Sequence, residues 1–375
     1  MILSARVATV SGTRIHCGSN ALQGFRKLLL SHEYRKSRVF ILVDANTGKH
    51  CLPLLVEACP ELDAALVFEI EGGEASKSLS SAEKIWIELL ASGADRRSLL
   101  VNLGGGVVSD LGGFIAAGLK RGIPYINIPT SLTGMVDAAI GGKTGVNMGE
   151  LKNQLGFFYS PLAVFVDARF LKTLPSDHIR SGFAEIVKSA LIGDPVLWRK
   201  LLRKGAENIL ALDILEKPWQ DLIMKTMTFK NRITCQDFRE QKLRKILNFG
   251  HTIGHALESF VLARDEKGLL HGDAVALGMI AETWLSHLKA GLSGEEAMEI
   301  ISFLKAGYKI QAETLGDLVQ KTPSSYDNIY TLLLYDKKNS EGQVRYTLIQ
   351  AAGKPRINRQ AGRDETAASL DKIFD

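Results

Sequence analysis

The sequence predicts an α/β domain with a mostly parallel sheet over residues 1–177, followed by a mainly α-helical domain over 178–375. Three observations predict this. Short β-branched runs alternate with helical stretches in the first half, which is the pattern of βαβ units. Long segments of 3.6-residue period fill the second half. One strand-like run passes directly into a glycine-rich turn that opens a helix. With 375 residues, of which 46% are hydrophobic and 23% charged, the chain is long enough to bury two cores.

The strands are read from "RVFILVD" to Asp44, "AALVFEI" to Ile70, "SLLVNLG" to Gly104, "PYINIP" to Pro129 and "AVFVD" to Asp167. Between the second and third, Ser80 and Glu83 suit a capping box for the helix "SAEKIWIELLASG", and Gly93 suits its stop. The texture changes between residues 175 and 180, after which "FAEIVKSALI" and "GDAVALGMIAETWLSHLKAG" read as helices. Ser293 and Glu296 suit a further capping box before "AMEIISFLKAG". Late in the chain "GQVRYTLIQ" alternates as a strand does and ends at the turn near Gly353 and Pro355.

Composition excludes several classes of function. The longest apolar stretch, Leu99 to Leu119, is interrupted by Asp110, glycines and serines, so no membrane span is expected. The opening "MILSARVATVSG" lacks the basic-then-apolar order of a secretory signal, and a cytoplasmic protein is expected. Cys17, Cys51, Cys59 and Cys235 show no C-x-x-C spacing and are expected to be reduced and inert. Lys and Arg exceed Asp and Glu by five without a long basic block, so nucleic acid is not an expected partner. An anionic small molecule suits that balance better.

Four features carry chemistry. In "GGGVVSDLGGF" the glycines at 104–106 let a backbone approach a phosphate and aim helix N-terminal N–H groups at it. The dinucleotide pattern is incomplete, because Ser109 stands where glycine or alanine is usual, and a plain packing turn is the competing reading. Asp44 and Asn46 end a strand where a ribose hydroxyl could be bound, or where an Asx turn could form. From Thr130 to Gly156 a glycine-rich loop interleaves Asp137, Lys143, Thr144, Asn147, Lys152 and Asn153. It lacks the earlier glycine of the Walker A pattern and reads instead as an anion site with Lys143 and Lys152 as charge partners. Finally, "NFGHTIGHALESF" sets His251 and His255 one above the other on a helix, as in zinc proteases, yet Thr252 stands where those have their glutamate. Glu185 and His271 are further candidate ligands for a divalent ion.

The segments "GGGVVSDLGGF", "VDAAIGGKTGVN", "LKN", "SGFAEIVK", "LRKILNFGHTIGHALE", "HGDAVALGM" and "DKK" fall in the order found in the 3-dehydroquinate synthase family of sugar phosphate cyclases. The resemblance runs from about Asp44 to Gly353. It implies a Rossmann-like NAD-binding domain, a helical metal- and substrate-binding domain with the active site between them, and a homodimer. The implied reaction converts 3-deoxy-D-arabino-heptulosonate 7-phosphate to 3-dehydroquinate and phosphate in the shikimate pathway, with NAD used and regenerated within one turnover. Related cyclases acting on sugar phosphates without a carboxylate share much of the motif set. Metal-dependent polyol dehydrogenases share the two-domain plan, but typically with an aspartate ligand.

By the same resemblance the metal, zinc or cobalt, falls to Glu185, His251 and His271. His255 then serves the phosphate side with Asn248 and Asn153, inside a cationic shell of Lys143, Lys152 and Lys337. Arg121 matches an arginine that reaches the neighbouring subunit's phosphate site. Lys188, Lys230 and Asp137 match residues around the substrate hydroxyls, and Arg244 one that binds its carboxylate. For NAD the matching positions are Asp44, Asn46, Glu74, Lys77, Gly105, Gly106, Asp110, Thr130, Ser131 and Thr173. Ser131 replaces a usual threonine, Thr133 a usual leucine, and the run Ser176 to His178 a usual Arg-Glu.

Overall fold

The computed structural model describes residues 5–7, 13–149, 151–265, 268–319, 322–334 and 344–375, and its contacts divide the chain into two units. Met1–Pro175 with Ile214–Glu240 form the first, and Ser176–Asp213 with Gln241–Asp375 the second. No described helix is long and apolar enough to cross a membrane.

The first unit is built on strands β1 (Ala5–Val7), β2 (Arg14–Cys17), β3 (Val39–Asp44), β4 (Leu66–Ile70), β5 (Leu99–Gly104), β6 (Tyr125–Pro129), β7 (Lys143–Met148), β8 (Leu151–Phe158) and β9 (Ala163–Val166). Seven of them form one sheet in the order β1-β2-β9-β6-β5-β3-β4, with β1 antiparallel to its neighbour and every other pairing parallel. The central strands β5 and β6 are buried at every position. Helices on the faces of a parallel sheet require near-continuous apolar runs, and "LLVNLG" and "YINIP" supply them except at Asn102 and Asn127, which hydrogen-bond to each other at 2.9 Å.

Two local expectations are corrected. The helix Leu79–Ala91 is capped by Ser78, whose Oγ accepts the Ser81 N–H at 3.2 Å, and not by Ser80. Serines at 78, 80 and 81 leave the choice open in the sequence; the extended backbone of Ser78 decides it. Its stop at Gly93 is as expected, with a φ of 78° and N–H groups of Gly93 and Ala94 returning to Leu90 and Leu89. The stretch 130–156, expected as a loop, forms a π-helical turn (Gly134–Ala138) and the antiparallel hairpin β7–β8. Its glycines are partly structural: a Cβ at Gly156 would lie 2.2 Å from the Thr144 carbonyl oxygen across the hairpin. The helix Lys217–Gln236 packs against the Gly134–Ala138 turn and so joins this unit.

The second unit is mainly helical. His271–Ala290 lies at its centre and is buried on almost every side, as expected of a helix apolar all round. It packs against Ser176–Gly193, His251–Leu262, Gly294–Val319 and Arg363–Phe374. Of the capping box expected before Gly294–Val319, Ser293 makes its half by accepting the Glu296 N–H, while the Glu296 carboxylate takes the Ala352 N–H instead. The expected late strand, β10 (Arg345–Ile349), ends at the expected turn near Gly353. It pairs with β11 (Pro355–Gln360), whose proline start and polar composition hid it.

Glycines set the spacing of the central helices. A Cβ at Gly272 would lie 1.8 Å from the Ser181 carbonyl oxygen, and one at Gly278 would lie 2.1 Å from that of Gly250. The Gly272 N–H also donates to Ser181 Oγ at 3.0 Å. Gly272→Ala should therefore destabilise the fold by about 1–3 kcal/mol, the usual cost of overpacking against backbone, and a denaturation midpoint equal to wild type would refute the contact.

Candidate active site

In the first unit the chain places β4 on one side of β3 and then crosses back to place β5 on the other, so strand order reverses between β3 and β5. Ligands of open α/β sheets bind outside the carboxyl ends of the strands at such a reversal. Asp44 ends β3, and Gly105 and Gly106 follow β5. Gly105 is the N-cap of the helix Gly106–Gly118 and brings no capping side chain, so that helix start retains donors for an anion. A Cβ at Gly104 would lie 2.5 Å from Val108 Cβ, and one at Gly105 would lie 3.1 Å from Ser131 Oγ, so the turn closes only without side chains. Thr130 and Ser131 follow β6, with the Thr130 N–H on the Gly104 carbonyl. This strand-end cradle fits a dinucleotide pyrophosphate. Asp44 also realises the competing Asx reading: its Oδ1 accepts the Thr47 N–H at 2.8 Å, while Thr47 Oγ1 accepts the Asp44 N–H. Asn46 is exposed one residue beyond the helix start, and Thr173 is exposed at the end of the 3₁₀ turn after β9.

Beside the cradle the Lys77 ammonium, only 4% exposed, donates to Asp110 Oδ2 at 2.6 Å and to Asn153 Oδ1 at 2.5 Å. Burial pushes the Asp110 carboxyl up, and the Lys77 charge opposes that shift. Asn147, which no expectation singled out for a role, ties this group together. It donates to Glu74 Oε1 and accepts the Asn153 N–H, both at 2.9 Å. Asn153 itself holds a positive φ of 54°. Separately, buried Lys230 donates to Asp137 Oδ1 at 2.6 Å and to its carbonyl at 2.7 Å. Lys143, half exposed, pairs with Glu240, a residue that sequence reasoning missed because "REQK" carries no spacing signal. Lys152 is half-buried on β8. Arg121 is exposed and follows Lys120 in positive φ, at 68° and 53°, a strained conformation for two residues bearing Cβ.

The second unit gathers the other group. Glu185, 1% exposed, sits mid-helix and pairs with Lys188 one turn on. Its Oε1 lies 3.5 Å from His251 Nε2 and 3.6 Å from His271 Nε2. Ligands held at 2.0–2.1 Å around a tetrahedral ion are separated by about 3.4 Å, so both distances from Glu185 Oε1 match an edge of such a site. Each ring turns its other nitrogen to an acceptor: His251 Nδ1 to the Phe249 carbonyl at 3.2 Å, and His271 Nδ1 to Glu258 Oε2 at 3.6 Å. That presents both Nε2 atoms to Glu185, the usual outer arrangement of metal-binding histidines. Burial works against charge on His271, but the Glu185 and Glu258 carboxylates, each 3.6 Å from a ring nitrogen, prevail and lift its pKa to about 10. Two buried carboxylates thus call for positive charge at this point. The donor set fits a divalent cation.

The His255 ring lies 5.3 Å from that of His251 and 5.7 Å from that of His271, and the three imidazoles together could also hold an ion. Glu258 was missed, although its spacing from His251 and His255 puts all three on one helical face, a legible signal. Arg244 is buried and Asn248 half-buried in the 3₁₀ turn Leu243–Asn248 that leads into the His251 helix. Lys337 lies outside the described residues.

Comparison with known proteins bears on these groups. The family model described as 3-dehydroquinate synthase N-terminal matches residues 67–181, and the one described as 3-dehydroquinate synthase C-terminal matches residues 182–339. The 3-dehydroquinate synthase of Parabacteroides distasonis is 41% identical over 335 residues, covering 89% of this chain and 90% of that one. Among solved structures, 2-deoxy-scyllo-inosose synthase with carbaglucose-6-phosphate, NAD+ and Co2+ superposes with a TM-score of 0.80 at 24% identity, over 96% of both chains. The 2-epi-5-epi-valiolone synthase of Streptomyces hygroscopicus subsp. jinggangensis, with NAD+ and Zn2+, does so with a TM-score of 0.77 at 27% identity, over 90% of both. The two matched segments abut and include Lys77, Lys230, Glu185, Arg244 and the three histidines, and with a relative this similar over nine-tenths of its length, the chain belongs to the 3-dehydroquinate synthase family.

Proposed function

We propose that this protein is a 3-dehydroquinate synthase, converting 3-deoxy-D-arabino-heptulosonate 7-phosphate to 3-dehydroquinate and inorganic phosphate. The observation that carries the reading is the buried Glu185 carboxylate within 3.6 Å of two imidazole nitrogens, in a chain of this family. The first unit is the NAD-binding part and the second carries the metal; the helix Lys217–Gln236 brings Lys230 to the first. When bound, NAD supplies the hydride acceptor and donor, and zinc or cobalt at Glu185, His251 and His271 supplies a Lewis acid.

The chain's own side chains bind and orient. Asp44, Asn46, Glu74, Lys77, Gly105, Gly106, Asp110, Thr130, Ser131 and Thr173 hold the dinucleotide. Arg244 takes the substrate carboxylate with two parallel N–H donors, as a guanidinium does and an ammonium cannot. Lys143, Lys152, Asn153, Asn248, His255 and Lys337 receive the phosphate end, joined by Arg121 of a second copy in a homodimer. Lys230 and Asp137 hold ring hydroxyls. Lys188 Nζ, ion-paired with Glu185, holds a proton at the hydroxyl that is oxidised. A cytoplasmic setting, with neither nucleic acid nor membrane as partner, completes the reading.

A cyclase acting on a sugar phosphate without a carboxylate is the nearest rival, and the buried Arg244 favours the acid substrate. With NAD and zinc or cobalt, the purified chain should release phosphate from the heptulosonate phosphate, and not from sedoheptulose 7-phosphate or glucose 6-phosphate. The opposite pattern would transfer the assignment to the rival. Elemental analysis separates the imidazoles: Glu185→Ala should lose the ion and His255→Ala should retain about one equivalent. A full equivalent in Glu185→Ala would remove it from the ligand set.

A further inference from the structure

We propose that Glu282 is a positioning residue for the metal centre, fixing the start of the helix that carries His251 from the helix that carries His271; the inference rests on the ligand set proposed above. Glu282 belongs to His271–Ala290 and is fully buried. A carboxylate in a core is costly unless several donors meet it, and a methionine or leucine would fill the same space. Its partners identify its role.

The helix His251–Leu262 begins at Gly250, whose φ of 78° and ψ of −13° put it in the left-handed region. Glycine is required there twice over, since a Cβ would also lie 2.4 Å from Met279 Cγ and 2.8 Å from the Val275 carbonyl oxygen. A glycine N-cap has no side chain to accept the first amides of its helix. Glu282 accepts them from outside: Oε2 takes the Gly250 N–H at 2.7 Å and Oε1 takes the Ile253 N–H at 3.0 Å. These are the N-cap and N3 amides, the two that a capping box satisfies with two side chains of its own helix. Here one charged group, placed by a neighbouring helix, satisfies both. The bonds are charge-assisted and lie at the positive end of the helix dipole.

The two amides bracket His251 in the chain. Its ring direction follows the first turn, which is the turn most prone to fray. One turn before Glu282, Gly278 lets the same helices meet backbone to backbone, so the carboxylate completes a contact that sphere packing alone would leave free to slide. Glu282 thereby fixes where His251 Nε2 stands relative to His271 and Glu185.

The test compares metal affinity with stability. Wild type, Glu282→Gln and Glu282→Asp are stripped of metal, and their zinc dissociation constants are measured by competition with a chromophoric chelator. Cobalt(II) forms give the visible d–d spectrum. Glutamine keeps the shape but loses the charge and can accept only one of the two amides. Its dissociation constant should rise on the order of 10–100-fold, with a displaced cobalt band, and the aspartate variant should fall between. Wild-type affinity and spectrum in Glu282→Gln overturn the inference, even if the metal-free variant melts at a lower temperature, because a cap serving the fold alone would behave so. Should Glu282→Gln not fold, Glu282→Asp is read by the same criterion, its carboxylate being drawn back by one methylene. Wild type that takes up no metal overturns the ligand set itself, an outcome read without any variant.

Discussion

A carboxylate with 1% of its side chain exposed cannot stay ionised in a protein interior without nearby positive charge, and in the second unit Glu185 imposes that condition on everything around it. Lys188 answers it from the next turn of the same helix. His251 and His271 answer it from two other helices, each with its remaining nitrogen directed to an acceptor. Three helices must therefore converge within a few ångströms. They do so because glycines at 250, 254, 272 and 278 remove the side chains that would hold them apart.

The first unit solves a different electrostatic problem by the same economy of side chains. Its helix start after β5 is lined by glycine and presents amides, while cations stand further out: Lys77 on Asp110, Lys230 on Asp137 and Lys143 on Glu240. Each of these ammonium groups is already balanced by a carboxylate. An incoming phosphate or carboxylate would then redistribute existing ion pairs rather than create bare charge, and the half-exposed Lys143 is the one whose partner exchanges at least desolvation cost. The site is thus a set of pre-neutralised cations around a polar cradle. That arrangement suits a doubly anionic substrate better than a neutral sugar.

Much of this was legible without coordinates. The strand ends at Asp44, Gly104 and Pro129 fall where the apolar runs end, because a parallel strand buried on both faces is written as a near-continuous apolar run. The grouping of Glu185 with His251 and His271 was legible as motif but not as spacing: His255 shares a helical face with His251, while His271, whose Nε2 lies 3.6 Å from Glu185 Oε1, is on another helix. Ser80 was mistaken for Ser78, and the hairpin β7–β8 for a loop, because serines and glycines are locally permissive and their role is set by what crosses them. Glu240 and Glu282 had no local signature, and Asn147, though named within the polar loop, had none for its partners. Their partners are distant in sequence, and no periodicity within one element points to them.

By itself, then, the sequence determined the class of each half, five strands of the sheet (β3, β4, β5, β6 and β9), the glycine turn and the residues able to bear the chemistry, since all of these follow from local propensity and short-range pattern. Only the tertiary structure decided which group faces which. It assigned the helix Lys217–Gln236 to the first unit against the order of the chain, and it set Glu282 beneath the helix that begins with His251. Such pairings are fixed by the packing of elements whose contacts no local pattern encodes, because hydrogen bonds and ion pairs depend on distance in space and are indifferent to distance along the chain.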